Sequence, residues 1–202
     1  MSLDLFLKHN NCYITEGYTE QVSEQVQILK DLVNNDKIHN ILEIGMNAGH
    51  SSCLFLENNK QCNVISFDIG SHDYVQIGKQ YIDNTYPNRH ELIIGDSKTT
   101  IPLYTNINQE IKMDLIFIDG GHDYETAIDD LMNCRNLSHK DTILIMDDTI
   151  INSYYDITDW NIGPTKAWNK IKSYNLIEEK ESYVFRFGRG MSIGKYLFWK
   201  NI

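Results

Sequence analysis

The stretch Glu43-Ile44-Gly45-Met46-Asn47-Ala48-Gly49-His50-Ser51 joins an apolar run to a helix-like segment through two glycines. Glycine turns the backbone where other residues are strained and lets it come close to a ligand, while the helix that follows offers free N–H groups from its first turn. The unit recurs along the chain. Apolar runs at 38–44, 62–68, 90–95, 113–119 and 142–147 are each short enough for a strand and are followed by Gly, Asp, Ser or Asn, which are turn and cap residues. Five strands alternating with helical segments predict a mostly parallel sheet covered on both faces.

The helical segments fill the gaps. Val22, Val26, Leu29, Leu32 and Val33 share one helical face ahead of the first strand, and 51–58, 74–84, 125–136 and 165–174 follow the later ones, the last opened by Gly163-Pro164. The segment 97–110 is the weakest helix, because Pro102 and several Asn and Thr residues oppose it. After residue 176 aromatic and β-branched residues dominate (Tyr183, Val184, Phe185, Phe187, then Tyr196 to Trp199), divided by Gly188-Arg189-Gly190. Two strands forming an antiparallel edge are expected there. The fold class is therefore α/β: a single-domain, doubly wound, Rossmann-like, mostly parallel seven-stranded sheet with an antiparallel C-terminal edge. Residues 1–36 are a helical extension to a domain over 37–202, and a length of 202 fits one domain overall.

Composition excludes several classes. With 42% hydrophobic residues, 23% charged and only 3 Pro, the chain is neither disordered nor low in complexity. A net charge of −10 opposes nucleic-acid binding, which needs clustered cations. No run approaches the ~18–20 apolar residues of a membrane span, and Met1 to Leu7 carries an acid in its only apolar run, unlike a signal peptide. Cys12, Cys53, Cys62 and Cys134 show no metal-type spacing. A soluble, cytoplasmic protein is expected.

In open parallel sheets ligands bind beyond the carboxyl ends of the strands, so the residues there carry the chemistry. The first turn is not the dinucleotide fingerprint, since Asn47 stands where its second glycine would be, and no phosphate loop occurs in the chain. Asp68 ends the second strand, where a carboxylate can accept from the two hydroxyls of a ribose. Asp96-Ser97 ends the third, an acceptor beside a hydroxyl suited to an adenine amino group. The combination suits a nucleoside without phosphates.

These residues give the chain a family likeness. Glu43-x-Gly45-x-x-x-Gly49, Asp68, Gly95-Asp96-Ser97, Asp114-Leu-Ile-Phe-Ile-Asp119-Gly-Gly-His122-Asp-Tyr124 and the ending Phe187-Gly-Arg-Gly-Met-Ser-Ile-Gly194 occur in the order of class I S-adenosylmethionine-dependent methyltransferases, which the chain resembles. The stretch Phe117 to Tyr124, with Ile145-Met-Asp-Asp148, is most similar to the branch with macrocin-type sugar O-methyltransferases and cephalosporin hydroxylase-like proteins. The resemblance implies cofactor binding by Glu43, Gly45, Met46, Asn47, Gly49, Ser51, Asp68, Ile69, Asp96, Ser97 and Asp119. It implies magnesium held by Asp119, Asp147 and Asp148, His122 as the catalytic base, and O-methylation of a small molecule or sugar hydroxyl. The short chain leaves little room for a separate substrate domain, and a homodimer is one way to complete the pocket.

Physical reasoning supports that picture. Three carboxylates at adjacent strand ends repel unless protonated or bridged by a cation, and oxygen ligands suit magnesium, manganese or calcium. Methyl transfer from a sulfonium requires the acceptor hydroxyl to lose a proton, which a metal or an imidazole can assist. Each residue also has a plainer reading. The glycines make a tight turn; Asp119 contacts cofactor or caps; Asp147 and Asp148 are exposed loop acids; His122 shapes the Gly120-Gly121 turn; Asp123 is a helix N-cap. Trp160 and Trp168 either stack on an acceptor or, for Trp168 above all, pack in the core, and Gly17, Tyr18 and Tyr13 suggest a lid. The acceptor is chosen by the loop 150–163 and the N-terminal segment. Rival functions are a non-catalytic cofactor-binding protein, a Rossmann-type oxidoreductase and a nucleic-acid methyltransferase.

Overall fold

The computed structural model describes residues 1–150 and 158–198. Helices α1 (Leu3–His9) and α2 (Ser23–Val33) precede a run of alternating elements: β1 (Asn40–Ile44), α3 (His50–Asn58), β2 (Asn63–Asp68), α4 (Asp73–Thr85), β3 (His90–Ile94), α5 (Ser97–Ile107), β4 (Met113–Ile118), α6 (Tyr124–Cys134), β5 (Ser138–Asp147) and α7 (Ile162–Ser173). Strands β6 (Ile177–Val184) and β7 (Gly190–Tyr196) complete one sheet of order β3-β2-β1-β4-β5-β7-β6. The doubly wound α/β architecture is as the alternation predicts. At the C-terminal edge β7 lies between β5 and β6 and pairs antiparallel with both, which makes the expected antiparallel C-terminal edge, with β6 outermost. Trp199, expected in that edge, lies outside the described residues. None of the described helices is long and apolar enough to cross a membrane.

Period-two alternation divides each central strand between two cores. Ile41, Leu115, Phe117 and Ile145 pack with Leu29, Val33, Phe55 and Ile82 on one face, and Leu42, Ile116, Leu144 and Met146 pack with Ile101, Leu131 and Trp168 on the other. Parallel strands buried on both faces need continuous apolar runs, which is what these stretches supply. Trp168 is fully buried and donates from Nε1 to Glu179 Oε2 at 2.6 Å, so its role is in the core. Helix α5 forms despite Pro102. Asp96 caps it by accepting from Lys98 N at 3.0 Å, and burial of Ile101 and Tyr104 offsets the one hydrogen bond the proline forgoes.

The second core contains a carboxylic acid. Asp130 of α6 is fully buried, and neither of its oxygens has a hydrogen-bond partner. Burial pushes its pKa up to about 7, and the nearby Ser97 hydroxyl offsets only part of that. A folded-state pKa raised above the unfolded value makes the group's contribution full below about pH 4 and lost as pH rises through 7. Asp130→Asn is therefore expected to raise the melting temperature at pH 8 by roughly 5 °C, a net ~1–2 kcal/mol after the cost of burying the amide. No gain is expected at pH 5. Thermal unfolding at the two pH values checks this.

Candidate active site

Strand order reverses between β1 and β4, and beyond their carboxyl ends a cavity of about 1000 Å³ opens. Gly45 stands at the crossing with φ 86, and a Cβ there would come within 1.9 Å of the Asp119 carbonyl oxygen. The two strand ends thus approach through bare backbone. Asp68 closes β2 and shapes the turn: its Oδ2 accepts from Asn47 N at 2.9 Å and its Oδ1 from Gly70 N at 2.8 Å. Gly45, Met46, Asn47, Ser51, Asp68, Ile69, Asp96, Ser97 and Asp119 all line the cavity.

Glu43 and Gly49 are not in the lining. The Glu43 carboxylate is fully buried beneath the turn, where it accepts from Ser51, from Ser52 and from Ser66 Oγ at 2.5 Å. Burial pushes its pKa up and the three hydroxyls push it down. Its place is under the turn, holding α3 and β2 to β1. Gly49, with φ 95, is the N-cap of α3.

The N-terminal segment crosses the mouth. Gly17 O accepts from Asn47 Nδ2 at 3.1 Å, Glu16 pairs with His72 at 3.1 Å, and the Tyr18 ring stacks on buried His50 at 4.2 Å. Gly17 and Tyr18 line the cavity as the lid reading expects, whereas Tyr13 is exposed and does not.

At the other end, Asp119, His122 and Asp148 present ligand-type atoms within 4.8 Å of one another. Asp148 has a left-handed backbone (φ 54) and its Oδ2 lies 3.1 Å from His122 Nε2. That hydrogen bond raises the pKa of His122 against the opposing effect of burial. Burial foremost, then the charges of Asp147 and Asp148, raises that of Asp119.

A family model described as a methyltransferase domain matches residues 42–149, just over half of the chain and all of the turns described above. The chain belongs to the methyltransferase-domain family. No curated protein sequence matches it. Among solved structures it is similar to an O-methyltransferase from Bacillus cereus in complex with S-adenosylhomocysteine, with a TM-score of 0.73 and 20% identity over 96% of this chain and 90% of that one. It is also similar to an O-methyltransferase from Streptomyces achromogenes involved in tomaymycin synthesis, in complex with S-adenosylmethionine (TM-score 0.69, 12% identity, 96% and 87% covered). A TDP-rhamnose 3′-O-methyltransferase of calicheamicin biosynthesis has a TM-score of 0.61 and 19% identity, with 84% and 79% covered. These likenesses are of fold.

The acid end of this methyltransferase domain differs from the expected trio. Asp147 turns away from the cavity and accepts from Gln25 Nε2 at 2.8 Å, with the Arg189 guanidinium 3.6 Å off. Burial first, then the charge of Asp148, raises its pKa. Arg189 also stands 3.8 Å from Asp148, so one guanidinium offsets both carboxylates. Gln25 belongs to no motif in the sequence, and Arg189, although it lies within the Phe187 to Gly194 stretch, is given no role there. The three groups that do converge are Asp119, His122 and Asp148. Asp148 Oδ1 has no hydrogen-bond partner, and two carboxylates with an imidazole suit manganese, iron or zinc as well as magnesium, so these residues fit a divalent cation. Trp160 lines the cavity, and Asp123 caps α6 by accepting from Thr126 N at 2.9 Å.

Proposed function

We propose that this methyltransferase domain binds S-adenosylmethionine in the cavity beyond β1 and β4 and transfers its methyl group to a hydroxyl of a small molecule. What carries the reading is that one cavity is lined both by Asp68, Asp96 and Ser97 and by the paired His122 and Asp148. Asp68 would accept from the ribose hydroxyls, and Asp96 with Ser97 would meet the adenine. The acceptor oxygen forms its bond to the methyl carbon as the carbon–sulfur bond breaks, leaving S-adenosylhomocysteine. His122 takes the hydroxyl proton, and Asp148 stabilises the imidazolium.

The test is calorimetric titration with S-adenosylhomocysteine, followed by methyl transfer from labelled cofactor. Binding with heat is expected, and its absence would sink the reading. Binding with no transfer to any hydroxyl acceptor would favour the non-catalytic alternative. His122→Ala is expected to lower kcat by about 100-fold, the usual contribution of a positioned base, with cofactor affinity unchanged; the comparison of the two constants checks it.

A second reading rests on the unpartnered Asp148 Oδ1 and its neighbours. Asp119, His122 and Asp148 would hold a divalent cation there, with His122 then a ligand and not a base. Such an ion lowers the pKa of a bound hydroxyl. Loss of activity on chelation, restored by manganese or magnesium, is the outcome that reading requires. Activity untouched by a chelator leaves the proton with His122.

A further inference from the structure

Two aromatic rings line the cavity with no packing role assigned to them. Phe187 lines the cavity and is 78% exposed, at the tip of the β6–β7 connection. Its backbone is left-handed (φ 63, ψ 23), a conformation that costs any residue with a Cβ and is most natural to glycine. Arg186 lies 5.6 Å from the ring centroid. Trp160 lines the cavity just ahead of α7. The two corners are tied together: the fully buried Asn161 donates from Nδ2 to the carbonyl of Gly188 at 3.2 Å. The start of α7 is also pressed against the loop of the candidate base, since a Cβ on Gly163 would stand 2.1 Å from the His122 carbonyl oxygen. Trp160, Phe187 and His122 therefore sit on segments of the cavity lining that contact one another.

Of the two arginines near these segments, Arg186 is exposed over the Phe187 ring and outside the cavity lining, and Arg189, within it, is already paired. Arg189 faces Asp147 and Asp148, and Lys98, the other lysine or arginine among the described lining residues, belongs to the α5 N-terminus beside Asp96 at the nucleoside end. The sequence of residues 151–157 has no lysine or arginine. Binding a phosphate here would require a free cation, and Asp119 and Asp148 would repel it.

We propose that Trp160 and Phe187 form the acceptor subsite, and that it takes an uncharged planar hydroxy-aromatic, a phenol or naphthol, whose ring stacks on them with its hydroxyl toward His122. The inference rests on the methyltransferase reading and deepens it. Ring stacking explains an exposed phenylalanine in a glycine-like conformation, and aromatic faces hold neutral planar molecules without needing charge.

The test uses the whole chain loaded with S-adenosylhomocysteine, with 2-naphthol, 2-naphthyl phosphate and methyl glucoside as probes followed by tryptophan fluorescence. 2-Naphthol is expected to bind, and the phosphate and the sugar to bind at least about tenfold more weakly. Trp160→Ala and Phe187→Gly are each expected to weaken 2-naphthol by about tenfold, while S-adenosylhomocysteine affinity stays within about twofold. Trp160→Phe restores most of the loss. Glycine is chosen at 187 because it accepts the left-handed backbone, so that variant keeps its fold. The proposal is overturned if the loaded protein does not bind 2-naphthol, if both variants bind it as well as the parent, or if the phosphate or the glucoside binds more tightly. Failure to bind S-adenosylhomocysteine would instead remove the methyltransferase reading, and this subsite with it.

Discussion

Asp68→Ala is expected to weaken S-adenosylhomocysteine binding by about a thousandfold, or about 4 kcal/mol. The carboxylate already accepts from Asn47 N and Gly70 N, at 2.9 and 2.8 Å, so it organises the two turns at the ends of β1 and β2 that border the cavity. On the proposed reading its remaining lone pairs would accept from the ribose hydroxyls. Hydrogen bonds to a charged group contribute ~1.5–3 kcal/mol each, and alanine forfeits those to the ligand together with the two that hold the loop. Asp68→Asn retains one acceptor oxygen and should lose less, about 30-fold. Titration calorimetry on the parent and both variants decides it. An alanine variant within threefold of the parent would place the ribose elsewhere.

The largest effect on stability is expected at Gly45. An alanine Cβ would meet the carbonyl oxygen of Asp119 at 1.9 Å and its carbonyl carbon at 2.7 Å, in a residue with φ 86. Backbone cannot yield as a flexible side chain can. Gly45 N donates to Phe67 O at 2.8 Å and Asp119 N to Ile44 O at 2.9 Å, so separating the strand ends breaks ladder bonds on both sides. A cost above ~4 kcal/mol follows, against a total stability of ~5–15 kcal/mol for an ordinary domain. Gly188→Ala is the control. Gly188 also has positive φ, 69, but a Cβ there meets nothing within 4 Å, so only the conformational cost of about 1 kcal/mol remains. Urea unfolding of the two variants should separate these cases. Equal losses would mean that the close approach at Gly45 is not what demands glycine.

The sheet was legible because each strand announces itself twice, by an apolar run and by the polar turn after it. Ile41 and Leu42 face opposite cores, a division that period-two alternation states directly. Less could be read where a residue's partner comes from afar. Glu43 stands in register with Ser66 on β2, and one turn of α3 adds Ser51 and Ser52. Nothing local to Glu43 says that three hydroxyls will converge on it, and so a carboxylate beside a glycine turn reads as a ligand group. Asp147 is a similar case: its partner Gln25 is 122 residues away, and Arg189 reaches it only because β7 inserts beside β5, with Asp147 opposite Met191. Antiparallel pairing of β6 with β7 is visible in the sequence, but which of the two joins β5 is not.

Arg189 reaches still further back along the chain. Its Nη1 donates to the carbonyl of Tyr18 and to Gln21 Oε1, both at 3.5 Å and 171 and 168 residues away. During synthesis, then, the segment over the cavity mouth can be fixed by this residue only when the last strand is emerging. All five parallel strands and Asp68 are synthesised before the residue that makes that tie, and until it arrives Asp147 and Asp148 are without their guanidinium. Chains arrested before residue 189 keep the ties of Glu16, Gly17 and Tyr18 to His72, Asn47 and His50 but lack this one, and should be cleaved by protease within 10–22 faster than full-length chains are.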